Sequence, residues 1–249
     1  SQNTALTKLE CYENQLTGLD LSQNTALTYL NCSYNQLTGL DLSQNTALTM
    51  LGCIGNKLTS LDVSNNTALT SLYCESNQLT GLDLSGNANL TILSCSSNLL
   101  TSLDVSNNPN LILLDCERNL LTSLDLSKNT ALTILGCSGN KRQITVDKTG
   151  QFDLSTLPGF DPDRAVWPEG VTVENGILTV PYGVTEISYQ YDLGNEKSER
   201  FTLTFDKVEE PDLPDDSSAP ADTGSTAGGA IAAVAVGGAA VWGGYELVT

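Results

Sequence analysis

The sequence predicts a mainly β protein: a solenoid built on a parallel sheet, then a small β-sandwich, then a low-complexity and hydrophobic tail. Three observations predict it. Cysteine recurs at Cys11, Cys32, Cys53, Cys74, Cys95, Cys116 and Cys137, always 21 residues apart. A fixed period in this range marks an architecture in which each repeat packs only on its neighbours. Over 143–208 the period is lost and short runs alternate apolar and polar residues, as half-buried strands do. From residue 209 onward the chain is first rich in acidic residues, Pro and Ser, then in Ala and Gly.

The repeat can be read element by element. "LTYLNCSYNQLTGLDLSQNTA", residues 27–47, holds L-x-x-L-x-C-x-x-N followed by L-x-x-L-D-[LV]-S-x-N. This is a leucine-rich repeat, and it fills residues 1–142 about seven times, the last copy losing register after "LTILGCSGNK". Within "LTYLNC", Leu30 and Cys32 lie two apart and share one strand face, while Tyr29, Asn31 and Ser33 point the other way. Cysteine takes the inward place that Leu21, Leu42 and Val63 hold in the second half of the repeat. The seven therefore read as a buried ladder of free thiols. Neighbouring strands lie ~4.8 Å apart, wider than the ~3.5–4.5 Å between Cβ atoms of a disulfide. A line of thiols is also not the tetrahedral cluster that zinc takes. The first repeat has no polar cap, and "SQNTALTKLEC" opens in mid-repeat, so N-terminal truncation is expected.

This motif resembles the 21-residue repeats of internalin-type bacterial surface proteins, and most the internalin J-like kind, whose repeats also carry a cysteine in the strand. The resemblance covers roughly residues 3–142. It implies a right-handed curved solenoid, an exported and surface-attached bacterial protein, and a role in adhesion. It names no ligand.

Two further columns repeat without change. Asn14, Asn35, Asn56, Asn77, Asn98, Asn119 and Asn140 form one asparagine ladder, and Asn24 through Asn129 a second at the same period. Asparagines in such turns satisfy loop backbone, a structural task. Asp20, Asp41, Asp62, Asp83, Asp104 and Asp125 form an outward acidic row. One carboxylate per turn falls far short of the 6–8 oxygen ligands calcium takes, so no metal site is expected. The chain has no histidine, no Gly-rich phosphate loop and no nucleophile paired with a base, so neither an enzyme nor a cofactor is expected. Its net charge of −18, with 11 scattered Lys and Arg, disfavours nucleic acid.

Residues 143–208 contain "QITV", "VTVENGILTV", "TEISYQYDLGNE" and "RFTLTFD", with turn signals at Asn175-Gly176 and Gly194-Asn195. They predict a small β-sandwich that closes the open end of the last repeat. In pattern it resembles the immunoglobulin-like module that follows many internalin-type solenoids. Residues 209–227 read as a disordered acidic linker. Residues 228–245 are uncharged until Glu246 and long enough for a candidate membrane helix that would anchor the chain, with Trp242 and Tyr245 at one end. Residues 246–249 read as a truncated end. "PADTG" (220–224) departs from the L-P-x-T-G of a sortase signal in its early proline and missing leucine.

The functional expectation comes from a contrast inside each repeat. Outward positions of the second half are monotonous, Gly or Ser, then Asp, then Ser, whereas those of the first half vary at every turn. The candidate contact residues on this variable face are Tyr12, Tyr29, Tyr34, Met50, Tyr73, Glu75, Ile92, Leu113, Asp115 and Glu117. Apolar and aromatic side chains kept on an outward face favour recognition of a protein or glycan partner. The alternative is a structural spacer or stalk of a larger cell-envelope protein, with no ligand of its own.

Overall fold

The computed structural model describes residues 3–206. Seven three-residue strands form one parallel sheet in chain order: β1 (Lys8–Glu10), β2 (Tyr29–Asn31), β3 (Met50–Gly52), β4 (Ser71–Tyr73), β5 (Ile92–Ser94), β6 (Leu113–Asp115) and β7 (Ile134–Gly136). Neighbours pair in register at the repeat offset, so Lys8 faces Tyr29, Tyr29 faces Met50, and Leu113 faces Ile134. The ladder runs on past each strand. The Cys32 amide donates to the Gly52 carbonyl at 2.8 Å, and the Cys116 amide to the Gly136 carbonyl at 2.8 Å.

Inward side chains stack by type. Leu30, Leu51, Leu72, Leu93 and Leu114 form one column, each 0% exposed. The cysteines form another, and all seven are free. Six are buried, while Cys11 is only half-buried at the first turn, beside the half-buried Leu6, Leu9, Leu16 and Leu19. Burial penalises the thiolate, pushing Cys32 up to about 12 and Cys53 and Cys74 well above the usual thiol range.

The second half of each repeat holds no strand among the described residues, so side chains hold its backbone. Each aspartate of the outward row accepts the amide of the serine two residues on, as Asp41 does from Ser43 at 2.9 Å. The two asparagine ladders differ. Asn56 donates to the carbonyls of Cys32, Cys53 and Ile54 at 3.1–3.3 Å and accepts the Leu37 amide at 3.0 Å. Asn66 donates to the carbonyls of Leu42 and Asn45 at 3.2 and 2.8 Å, but its buried Oδ1 has no partner. The same holds for Asn24, Asn45, Asn87, Asn108 and Asn129.

After Asn140 the fold changes. β8 (Lys141–Ile144), β9 (Gln151–Asp153), β10 (Ala165–Val166), β11 (Thr172–Glu174), β12 (Ile177–Thr179), β13 (Glu186–Gly194) and β14 (Lys197–Phe205) form two small sheets. One is four-stranded and mixed, in the order β10-β13-β14-β8, with β8 parallel to β14. The other is three-stranded and antiparallel, in the order β11-β12-β9. The turn signals sit where expected: Asn175-Gly176 joins β11 to β12 and Gly194-Asn195 joins β13 to β14, all four residues with positive φ. An aromatic cluster, the buried Tyr189, Tyr191 and Phe201 with the half-buried Phe160 and Trp167, fills the module.

The module packs on the second half of the last complete repeat. The Leu126 amide donates to Leu193 O at 2.7 Å, the Asn195 side chain donates to Leu126 O, and Tyr189 Oη donates to Thr122 O at 2.6 Å. Thr122 and Ser123 are buried here, whereas Thr59 and Ser60, the matching pair three repeats earlier, are exposed. No helix among the described residues is long and apolar enough to cross a membrane. The linker 209–227, the candidate helix 228–245 and the end 246–249 lie outside the described residues.

Candidate recognition face

The sheet's register sorts the variable positions into rows. Lys8, Tyr29, Met50, Ser71, Ile92, Leu113 and Ile134 form one row, and Glu10, Asn31, Gly52, Tyr73, Ser94, Asp115 and Gly136 the next. Tyr12, Ile54, Glu75 and Glu117 follow just beyond the strand ends. Of the ten candidate residues, Tyr12 and Tyr34 are 49% and 56% exposed, and the other eight are half-buried. From Tyr29 onward the first row is a nearly unbroken apolar stripe that only Ser71 interrupts, and it ends at Ile134, 57% exposed.

Each end of the face has its own chemistry. At the first repeats Lys8 pairs with Glu10 at 2.9 Å and lies over the Tyr29 ring, 4.8 Å from its centroid. Tyr34 extends over the next repeat because Gly55 has no side chain. A Cβ there would stand 2.7 Å from the Tyr34 ring. At repeats four to six the acidic candidates converge. Ser94 Oγ donates to Asp115 Oδ2 at 3.3 Å, and Ser138 Oγ donates to Glu117 Oε1 at 2.9 Å. Burial raises the Glu75 carboxyl above its ordinary range, although a Ser94 hydrogen bond opposes this. Tyr12, Tyr29, Tyr34 and Tyr73 are not brought into ring contact with one another, since the ring pairs among the described residues all lie in the β-rich module.

The ten candidates leave out several participants, four of which (Lys8, Ser94, Ile134 and Ser138) are variable outward positions already visible in the sequence. Lys8 and Ile134 bound the stripe. Ser94 and Ser138 tie down the carboxylates. A column of left-handed residues, Glu13, Tyr34, Gly55, Ser76, Ser97, Arg118 and Gly139, turns the chain just past each strand. Its legible signal was glycine at two positions of one column, Gly55 and Gly139. No group of three or more His, Cys, Asp or Glu side chains placed to hold a metal ion occurs among the described residues.

Solved structures carry the same solenoid. An internalin (inlF) from Listeria monocytogenes superposes with a TM-score of 0.52 at 26% identity, over 55% of this chain and 43% of that one. The chain is an internalin-like leucine-rich-repeat solenoid. A leucine-rich-repeat protein of Leptospira interrogans superposes with a TM-score of 0.53 at 26% identity, over 56% of this chain and 38% of that one. The chain thus spans less than half the length of either. A functional domain of InlJ from Listeria monocytogenes, which includes a cysteine ladder, matches at 22% identity over 82% of both chains. Its TM-score is 0.26, so the ladder described above stands on this chain's own geometry. No protein-family model matches the sequence, and no curated protein is similar to it.

Proposed function

We propose that this internalin-like solenoid is the recognition module of a bacterial surface protein, and that it binds a protein or glycan partner through the variable rows. The observation that carries this reading is the apolar stripe Tyr29, Met50, Ile92, Leu113 and Ile134, flanked by Glu75, Asp115 and Glu117 on the face of a rigid sheet. Solenoids present such extended faces to partners. The exposed rings of Tyr12 and Tyr34 suit stacking against sugar rings as well as peptide. The β-rich module acts as a cap on the turn half of the last complete repeat. The likeness to internalins supports display outside the cell and a role in adhesion, and attachment would fall to the region beyond residue 206.

The test screens the full chain against a displayed peptide library and a glycan array. For a ligand so found, Tyr29→Ala/Tyr73→Ala is expected to cost at least ~2 kcal/mol of binding with the fold intact. Ser22→Ala/Ser43→Ala on the monotonous side is expected to leave binding unchanged. Equal affinity in both variants, or no ligand in either screen, favours a structural spacer instead.

A further inference from the structure

We infer that the free edge of β7 is a second docking site, which takes an extended segment of a partner protein carrying a basic side chain at the register of Gly136. Among the described residues, β7 is the last strand of the solenoid sheet and pairs only with β6. The Ile134 amide donates to Ile112 O and the Gly136 carbonyl accepts from Cys116 N, so both residues spend their backbone groups on the β6 side. Backbone groups alternate along a strand, so the Leu135 amide and carbonyl project from the outer edge. In every earlier repeat the cysteine amide donates to a carbonyl of the next turn. Cys137 has no such next turn among the described residues.

Side chains at this edge are as incomplete as the backbone. Leu135 is only half-buried, while the leucines above it in the column, Leu30 through Leu114, are sealed. Ile134 beside it is the most exposed apolar residue of the stripe. No hydrogen bond from the β-rich module falls on β7 among the described residues: they reach Thr101, Asn119, Thr122, Ser123, Asp125, Leu126 and Asn140, and Glu199 and Arg200 border a cleft with Ser138 and Gly139 just past the strand end. An edge with unpaired groups and uncovered apolar side chains is a template for another strand.

Charge selects the occupant. Gly136 has no side chain, and Asp115 and Glu117 lean over it. A Cβ there would stand 3.2 Å from Asp115 Oδ1 and 3.4 Å from Glu117 Oε1. Their hydrogen-bond partners are the Glu117 amide and the hydroxyls of Ser94 and Ser138, and neither joins an ion pair among the described residues. Arg118, the nearest cation in sequence, passes over Gly139 instead. An arginine or lysine on an added strand would meet both carboxylates, an apolar neighbour would cover Leu135, and the net charge of −18 would steer a basic segment inward. A second copy of this chain is disfavoured, because pairing two β7 edges sets one pair of carboxylates against the other.

The test uses the full chain and two fluorescein-labelled peptides, Thr-Ser-Ile-Leu-Arg-Ser-Thr and its reverse, which cover both strand directions. One of them is expected to bind, and replacing its arginine by glutamate to weaken binding at least about tenfold. N-methylation at the arginine amide blocks parallel pairing and at the leucine amide antiparallel pairing, so one of the two is expected to abolish binding and the other to be tolerated. Asp115→Asn/Glu117→Gln is expected to remove the preference for arginine over glutamate. Failure of both peptides to bind at about 1 mM, or indifference to N-methylation at both sites, overturns strand addition. Loss of peptide binding in Tyr29→Ala/Tyr73→Ala would place the peptide on the variable rows and overturn the edge site. Retention there, with the library ligand of the variable rows lost, shows two separate sites. A dimer in sedimentation that Ile134→Lys dissolves would make a second copy the occupant and overturn the partner proposed here.

Discussion

The two halves of each repeat have opposite habits, and the backbone explains why. In the strand half, neighbouring turns pair amide to carbonyl whatever side chains they carry, so outward positions are free to change: Tyr29, Met50, Ser71, Ile92, Leu113. The turn half has no strand, and its backbone is held by side chains. Asp41 takes the Ser43 amide and Asn66 spans the carbonyls of Leu42 and Asn45. Replacing either undoes a turn. Monotony there is a structural requirement, and variation in the strand half is a freedom that recognition can use.

The largest test of this contrast is between the two asparagine ladders. Asn77 donates to the carbonyls of Cys53, Cys74 and Glu75 and accepts the Leu58 amide, so every polar atom of its side chain is used. Asn66 only donates. Each buried group left without a partner costs about 1–3 kcal/mol. Asn77→Ala, which strands a buried amide as well as carbonyls, is expected to cost about 2–5 kcal/mol in urea unfolding, and Asn66→Ala about 1–3. Equal losses would mean that the unpartnered Oδ1 column has partners the structure does not show.

A second test sets the two faces of one strand against each other. Ser71 faces outward at the start of β4, and Cys74, the residue that follows the strand's end, is fully buried on the inward face. Cys74→Ser puts a hydroxyl into the dry column and is expected to cost about 1–3 kcal/mol. Ser71→Ala is expected to stay within about 0.5 kcal/mol. A tolerated Cys74→Ser would show that the new hydroxyl reaches a carbonyl of the next turn, as the Cys32 thiol approaches Gly52 O at 3.5 Å.

The solenoid was legible because its period multiplies one local signal seven times. Leu30 and Cys32 fix the inward face, and the register follows for every turn. Hairpins announced by Asn175-Gly176 and Gly194-Asn195 were legible for the same local reason. β9 and β10 were not, since two or three residues show no alternation, and their pairing with β12 and β13 is decided by distant strands. The variable positions could be named from sequence, but their grouping could not. That Asp115 and Glu117 meet over Gly136, or that Tyr34 covers Gly55, depends on glycines one repeat further along the chain. The open edge of β7 is a property of where the next module lands, which no motif encodes.

Thiol chemistry sharpens the contrast along the cysteine column itself. The thiolate is the reactive form, and burial holds Cys32, Cys53, Cys74 and Cys95 as thiols. Cys11 is raised by the same cause but is only half-buried. One thiol is therefore expected to react in the native state, mapping to Cys11 by mass spectrometry, and seven after denaturation. Rapid native labelling at Cys74 would show that the stack opens.

The smallest effect is a pH signature that separates the two halves by sign. In the turn half, serine amides hold the carboxyls of Asp20 and Asp41 below their ordinary 3.8. A depressed folded-state value contributes stability that is present above 3.8 and is lost as pH falls through the folded value. In the strand half, burial raises Glu75 above its ordinary 4.5. There the folded state binds its proton more tightly than the unfolded chain, so the ionised form costs stability at neutral pH, and this cost is relieved as pH falls from the raised value to 4.5. Thermal melts are therefore expected to show a shallow gain toward pH 4.5 and a loss from 3.8 downward. Glu75→Gln removes the charge and keeps the shape, so it is expected to raise the neutral-pH melting temperature slightly and to erase the gain while leaving the acid loss in place. Parallel profiles for the variant and the parent at every pH would show that Glu75 is solvated on the open face, and would remove the one strand-half carboxyl that burial sets apart from the turn-half aspartates.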